Sequence, residues 1–184
     1  MWVTGGSAKG TRLKTLPRRS IRPTTSVVRH SVFSLLESRA ADWGRVLDLY
    51  AGSGALGIEA LSRGAGWADF VDQRKSCCDI IRANLEKIGE RQRAHVYCCS
   101  VSKAISFLSD HYDIVFMDPP YSDPSVGVAL TGLARSSLLA ENATVVLCHS
   151  NRLVTNPEYD GLRLVTRRRH GDTHISIYQK EVQI

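Results

Sequence analysis

The chain has 184 residues, 43% hydrophobic and 23% charged, a length and balance suited to one well-buried globular domain. No apolar run approaches the roughly 18–20 residues that span a bilayer, and the start lacks the apolar core of a secretory signal. A cytoplasmic protein without a membrane partner is therefore expected. The net charge is +6, yet residues 1–36 hold seven basic side chains and no acid, so essentially all the excess sits there. Such a concentration suits a polyanion, because neutralising phosphates releases condensed counterions. A solvated basic arm without a partner is the alternative.

The five cysteines form two adjacent pairs (Cys77-Cys78, Cys98-Cys99) and one singleton, Cys148. An odd count without ligand spacing predicts neither a disulfide framework nor a metal site, and the thiols read as small buried hydrophobes.

Residues 1–20 are Gly-rich and basic, carrying Lys9, Arg12, Lys14, Arg18 and Arg19. They form a predicted N-terminal extension ahead of a domain at 21–184, with a short hairpin possible around Thr11–Leu16. Arg22 precedes Pro23 and is held extended, and Thr24, Thr25 or Ser26 can cap the helix that follows. Val28, Val32, Leu35 and Leu36 lie on one face of that helix, which leaves Arg29 pointing elsewhere.

Val46–Tyr50 reads as a strand and Leu56–Arg63 as a helix. Trp67–Val71 is a second strand ending at Asp72. Cys77, Ile81, Leu85 and Ile88 mark the next helix, stopped by Gly89. His95–Cys98, a helix at Ser102–Leu108, and a strand at Asp113–Met117 follow. The unbroken apolar run of that strand predicts burial on both faces, as in a parallel sheet. A helix at 126–135 and a strand at Ala143–Cys148 lead to a hairpin of Leu162–Arg169 and Thr173–Gln179. Strands alternating with helices predict a doubly wound α/β sheet. Ligands of such sheets bind beyond the strand carboxyl ends, here Asp48, Asp72, Cys99–Ser100 and Asp118.

Three features carry chemistry. Gly52, Gly54 and Gly57 fit G-x-G-x-x-G between a strand and a helix, where backbone amides approach a ligand closely. Asp72, 24 positions after Asp48, can accept both hydroxyls of a ribose in any adenosine-containing cofactor. Asp118-Pro119-Pro120-Tyr121 is rich in acceptors and stiff, because two prolines supply no N–H donors. It suits an exocyclic amine with two protons to donate, and Tyr121 offers a face on which an extruded base can stack.

The segments GSAKG, IRPTTSVVRHSVFSLLE, LDLYAGSGALGIEALSRGA, DIVFMDPPY and HGDTHISIY resemble the RsmD family of guanine-N2 methyltransferases of small-subunit (16S) ribosomal RNA over nearly the full chain. The resemblance implies a Rossmann-like class I methyltransferase: a mostly parallel seven-stranded sheet with a C-terminal antiparallel hairpin, using S-adenosylmethionine. Carried over, Ala51, Gly52, Ser53 and Gly54 would hold the methionine portion with Asp48 beside them. Asp72 stands at the ribose position, where the family usually has Glu. Ser100-Val101 stands near the adenine, where many relatives have Asp-Ala, so a serine hydroxyl or the Val101 amide would serve. His30 replaces a common Glu. Asp118, Pro119, Pro120 and Tyr121 would take the guanine amine and ring. Lys9, Arg12, Lys14, Arg18, Arg19 and Arg22, helped by Arg167–Arg169, would hold the RNA or the small ribosomal subunit. A monomer is expected, with no metal. Methylation of another base amine, such as adenine N6, and a non-catalytic RNA-binding assembly factor are the competing readings. A nicotinamide dehydrogenase would need a substrate domain for which the chain has no room.

Overall fold

The computed structural model describes residues 1–16, 25–39, 43–121 and 123–181. Five strands, β1 (Arg45–Leu49), β2 (Trp67–Asp72), β3 (Ala94–Cys98), β4 (Tyr112–Met117) and β5 (Leu139–Ser150), pair in parallel. Three more, β6 (Glu158–Tyr159), β7 (Leu162–His170) and β8 (Thr173–Lys180), join antiparallel beyond β5. The sheet order is β3-β2-β1-β4-β5-β8-β7-β6. Chain direction across the sheet reverses between β1 and β4, which opens a crevice at their carboxyl ends.

The central strands β1, β2 and β4 are buried on both faces, and alternate residues sort between two cores. Val46, Ile114, Phe116, Val146 and Cys148 face α1 (Ser26–Ser38), α2 (Ala55–Ser62) and α3 (Lys75–Lys87). Leu47, Leu49, Val115, Met117, Val145 and Leu147 face α4 (Val101–Phe107) and α5 (Val126–Arg135). Helices on both faces explain why these strands read as unbroken apolar runs.

Three expectations are revised. The sheet has eight strands among the described residues rather than seven, because Asp160 and Gly161, both at positive φ, turn the two-residue β6 back onto β7. Of the cysteines expected to be buried, Cys77, Cys78 and Cys148 are, while Cys98 is exposed at the end of β3 and Cys99 is partly so.

The third revision concerns Arg29, which is only 1% exposed. Residues 1–3 and 11–13 pair like a hairpin (Val3 N to Thr11 O, 3.0 Å; Leu13 N to Met1 O, 2.8 Å) and lie over this side of α1. Val3 and Leu13 enter the core, which seats this pairing on the helix. The Arg29 guanidinium donates to Trp2 O at 2.5 Å and lies 3.6 Å from Glu59. Glu59, equally buried, also accepts from Thr4 N, Thr4 Oγ1 and Arg63. One carboxylate thus joins the N-terminal hairpin, α1 and α2.

Removing one partner of a buried ion pair leaves the other charge uncompensated. Glu59→Ala should therefore lower unfolding free energy by roughly 3–5 kcal/mol, measured by urea titration; an unchanged midpoint would contradict this role.

Candidate active site

The site is built from loops that follow β1, β2, β3 and β4. After β1 the chain turns sharply at Tyr50, whose φ is 61°. A left-handed backbone costs a residue other than glycine about 1–2 kcal/mol. Ala51 N then reaches Val71 O at 3.0 Å, Gly52 N donates to Asp72 Oδ2 at 2.9 Å, and Gly54 N donates to Ala51 O at 2.7 Å. Gly54 itself has φ 79° and opens α2, a conformation that favours glycine.

Gly57 serves a different purpose. A Cβ there would lie 2.4 Å from the Phe70 ring, so α2 can press on β2 only without a side chain. Its amide donates to Asp48 Oδ2 at 2.9 Å, beneath the loop. Asp48 is 1% exposed. Burial pushes its carboxyl pKa well up, the Gly57 amide opposes this, and the charges of Asp118 and Asp72 add to the rise.

Asp72 ties two loops together. Its second oxygen, Oδ1, accepts from Arg74 N at 2.9 Å and is approached by Arg74 Nε at 3.4 Å. Ser100 caps α4, accepting from Lys103 N at 3.3 Å, and its hydroxyl also lies 3.2 Å from Ser102 Oγ. Val101 follows as the first residue of that helix, where backbone amides have no intrahelical acceptor.

Asp118, Pro119, Pro120 and Tyr121 follow β4 directly. Pro120 O accepts from Asp123 N at 2.9 Å, which turns the chain toward α5. The Tyr121 hydroxyl bonds Thr173 Oγ1 at the tip of the closing hairpin, fixing an aromatic ring that stays 38% exposed.

Together these loops enclose a cavity of about 800 Å³. Asp48, Ala51, Gly52, Ser53, Asp72, Ser100, Val101 and the whole Asp118–Tyr121 segment line it. Gly54 shapes the loop from behind, packed toward Ile58 and Ile81. Sequence reasoning missed Tyr50, Arg74, Thr25, Val28 and Thr173, which also line it. Four carboxylates, Asp48, Asp72, Asp118 and Asp123, face it against one guanidinium, Arg74, among the described residues. In a chain of net charge +6, the cavity is the acidic place.

The family model described as Conserved hypothetical protein 95 matches residues 1–179. YlbH of Bacillus subtilis (strain 168) is 36% identical, covering 98% of this chain and 99% of its own. Ribosomal RNA small subunit methyltransferase D of Escherichia coli (strain K12) is 31% identical, over 98% of this chain and 90% of its own. The chain belongs to the RsmD family.

Among solved structures, yhhF from Escherichia coli superposes with a TM-score of 0.85 at 27% identity, over 100% of this chain and 99% of that one. The doubly wound sheet with its antiparallel end is therefore the RsmD-family methyltransferase fold. The donor set also fits the sulfonium cofactor of such enzymes. A strand-end carboxylate, a close-approach glycine loop and a helix-start amide face one acidic cavity large enough for a nucleoside.

Among the described residues, the candidate RNA contacts lie outside this cavity. Lys9, Arg12 and Lys14 are exposed on the N-terminal hairpin, with Arg12 over the Trp2 ring at 5.9 Å. Arg18, Arg19 and Arg22 lie outside the described residues. Arg167, Arg168 and Arg169 are exposed along β7.

Overpacking α2 against Phe70 should be costly. Gly57→Ala is expected to destabilise the protein by roughly 1–3 kcal/mol, read as a lowered melting temperature; wild-type melting would show that the helix shifts freely.

Proposed function

We propose that this protein transfers a methyl group from S-adenosylmethionine to the exocyclic N2 amine of a guanine in small-subunit (16S) ribosomal RNA. The observation that carries this reading is the position of Asp118–Tyr121. An acceptor-rich, proline-stiffened turn with a fixed aromatic ring shares one cavity with the glycine loop. The names of the relatives, ribosomal RNA small subunit methyltransferase D among them, support the choice of RNA.

When bound, S-adenosylmethionine supplies a methyl group already activated on a sulfonium, so the protein's task is orientation. Residues 51–54 would hold the amino-acid end, with Asp48 below them. Asp72, already positioned by Gly52 N and Arg74 N, keeps acceptor capacity for the ribose hydroxyls. At the adenine, the Val101 amide is preferred over the Ser100 hydroxyl, which already serves as the helix cap.

The Asp118 carboxylate and the Pro119 carbonyl would accept the two amine hydrogens and point the nitrogen across the cavity. Tyr121, held by Thr173, would stack on the guanine ring. Lys9, Arg12 and Lys14, with Arg18, Arg19 and Arg22, would grip phosphates, aided by Arg167–Arg169. Such a substrate implies work in the cytoplasm. No helix among the described residues is long and apolar enough to cross a membrane.

Asp118→Ala should reduce methyl transfer to 16S RNA by roughly a hundredfold or more while S-adenosylhomocysteine binding, followed by calorimetry, persists. Nucleoside mass spectrometry of the RNA should show N2-methylguanosine from the wild type. Methylation by the variant at the wild-type rate would remove Asp118 from the mechanism, and N6-methyladenosine as the product would move the reaction to another base.

A further inference from the structure

Asn84, in α3, has 0% of its surface exposed. A buried amide costs free energy unless its donors and acceptor are met, and here all are. The side-chain oxygen accepts from Lys14 N at 2.8 Å. The nitrogen donates to Lys14 O at 3.0 Å and to Ser53 O at 3.0 Å. These partners fix the orientation of the amide, because the reverse would set a donor against Lys14 N and an acceptor against two carbonyls.

The groups joined by this amide belong to different parts of the molecule. Ser53 is in the glycine loop and lines the cavity. Lys14 follows the paired residues 11–13 of the basic hairpin, and the next two residues, Thr15 and Leu16, line the same cavity. Both backbone groups of Lys14 meet one side chain, as they would meet a residue of a neighbouring strand. A further bond from α3 to the hairpin, Lys87 Nζ to Arg12 O at 2.7 Å, is exposed and does not reach the loop. Asn84 stands behind the cavity wall, where exclusion of water strengthens each of its bonds. It ties the basic hairpin to the glycine loop through a single planar group.

We propose that Asn84 is a positioning residue that couples the two ligands of the reaction, so that a cofactor on the glycine loop readies the basic hairpin for RNA. The coupling rests on the methyl-transfer reading made above. A ligand seated against residues 51–54 and beside Thr15 and Leu16 would order both sides of one amide. The second ligand then meets a segment that is already ordered, and its own binding costs less conformational entropy. Such coupling is reciprocal, so RNA tightens cofactor binding by the same factor. Asn84 acts on both ligands only through Ser53 and Lys14.

The test compares wild type with Asn84→Ser, whose shorter side chain cannot span Lys14 and Ser53 together. Filter binding of 16S RNA, with and without saturating S-adenosylhomocysteine, gives the coupling as a ratio of affinities. The ratio should be roughly fivefold or more in wild type and close to one in the variant. A lowered melting temperature with the wild-type ratio intact would make Asn84 a stability residue only and overturn the proposal. Amide hydrogen exchange, followed residue by residue by NMR on the wild type, decides the matter even if the variant fails to fold. S-adenosylhomocysteine should slow exchange at the Lys14 amide, which bonds Asn84, as well as in residues 51–54. Protection confined to residues 51–54 would also overturn the coupling. If wild-type protein failed to methylate 16S RNA, the substrate assignment would fall, and the exchange at Lys14 would still decide whether Asn84 links the hairpin to the loop.

Discussion

Asp72 is the constraint around which the cavity is arranged. A carboxylate at the end of β2 accepts Gly52 N with one oxygen and Arg74 N with the other. Charge-assisted bonds of this kind are roughly twice as strong as neutral ones. They hold the loop after β1 and the loop after β2 at a fixed separation, before any ligand arrives. Asp48 does the same one layer down, holding the start of α2 through Gly57 N. A small-residue loop would otherwise sample many conformations, since glycine loses more freedom on ordering than any other residue. Two acids on adjacent strands remove that freedom, and the same two acids face the cavity.

The arrangement has an electrostatic consequence. Charge in this chain is sorted by place: arginines and lysines on the N-terminal hairpin and β7, carboxylates at the strand ends. The exterior attracts a polyanion, while the interior disfavours a phosphate and favours a cation or a hydrogen-bond donor. A dinucleotide would bring its pyrophosphate against Asp48, Asp72 and Asp118, where burial first, and then the charges of Asp118 and Asp72, already raise the Asp48 pKa. A sulfonium and a base amine meet no such penalty. One charge pattern thus fits both parts of the proposed reaction, in which RNA phosphates would stay outside and neutral or cationic groups would enter.

Much of this was legible in the residues because it depends on neighbours in sequence. Strand ends, the glycine loop and Asp118–Tyr121 are local patterns, and the sheet brings them together by a general rule of topology. What stayed hidden depends on distant partners or on backbone angles. Arg29 was set outside the helix face because periodicity assigns charges to solvent. Its cover comes from residues 1–13, and its counter-charge Glu59 is 30 positions on. Thr173 gave no local sign of holding Tyr121, 52 positions earlier. The turn at Tyr50 was invisible because a tyrosine there reads as the last residue of a strand, and only φ shows otherwise. The Asp160-Gly161 turn was readable in principle, but β6 is too short to show periodicity.

These hidden features share a position in the fold. Thr173 holds the far side of the Asp118–Tyr121 turn, and Asp123 its base. A turn with two prolines is stiff internally, yet stiffness alone does not place it relative to the glycine loop. Orientation of an in-line transfer is sensitive to displacements of about 1 Å, smaller than any sequence pattern specifies. In the proposed reaction, the pattern Asp-Pro-Pro-Tyr would supply the groups that meet the amine. Their registration depends on a hydroxyl on β8, so the family's local motifs come together only when the sheet has brought β1, β4 and β8 to the same edge.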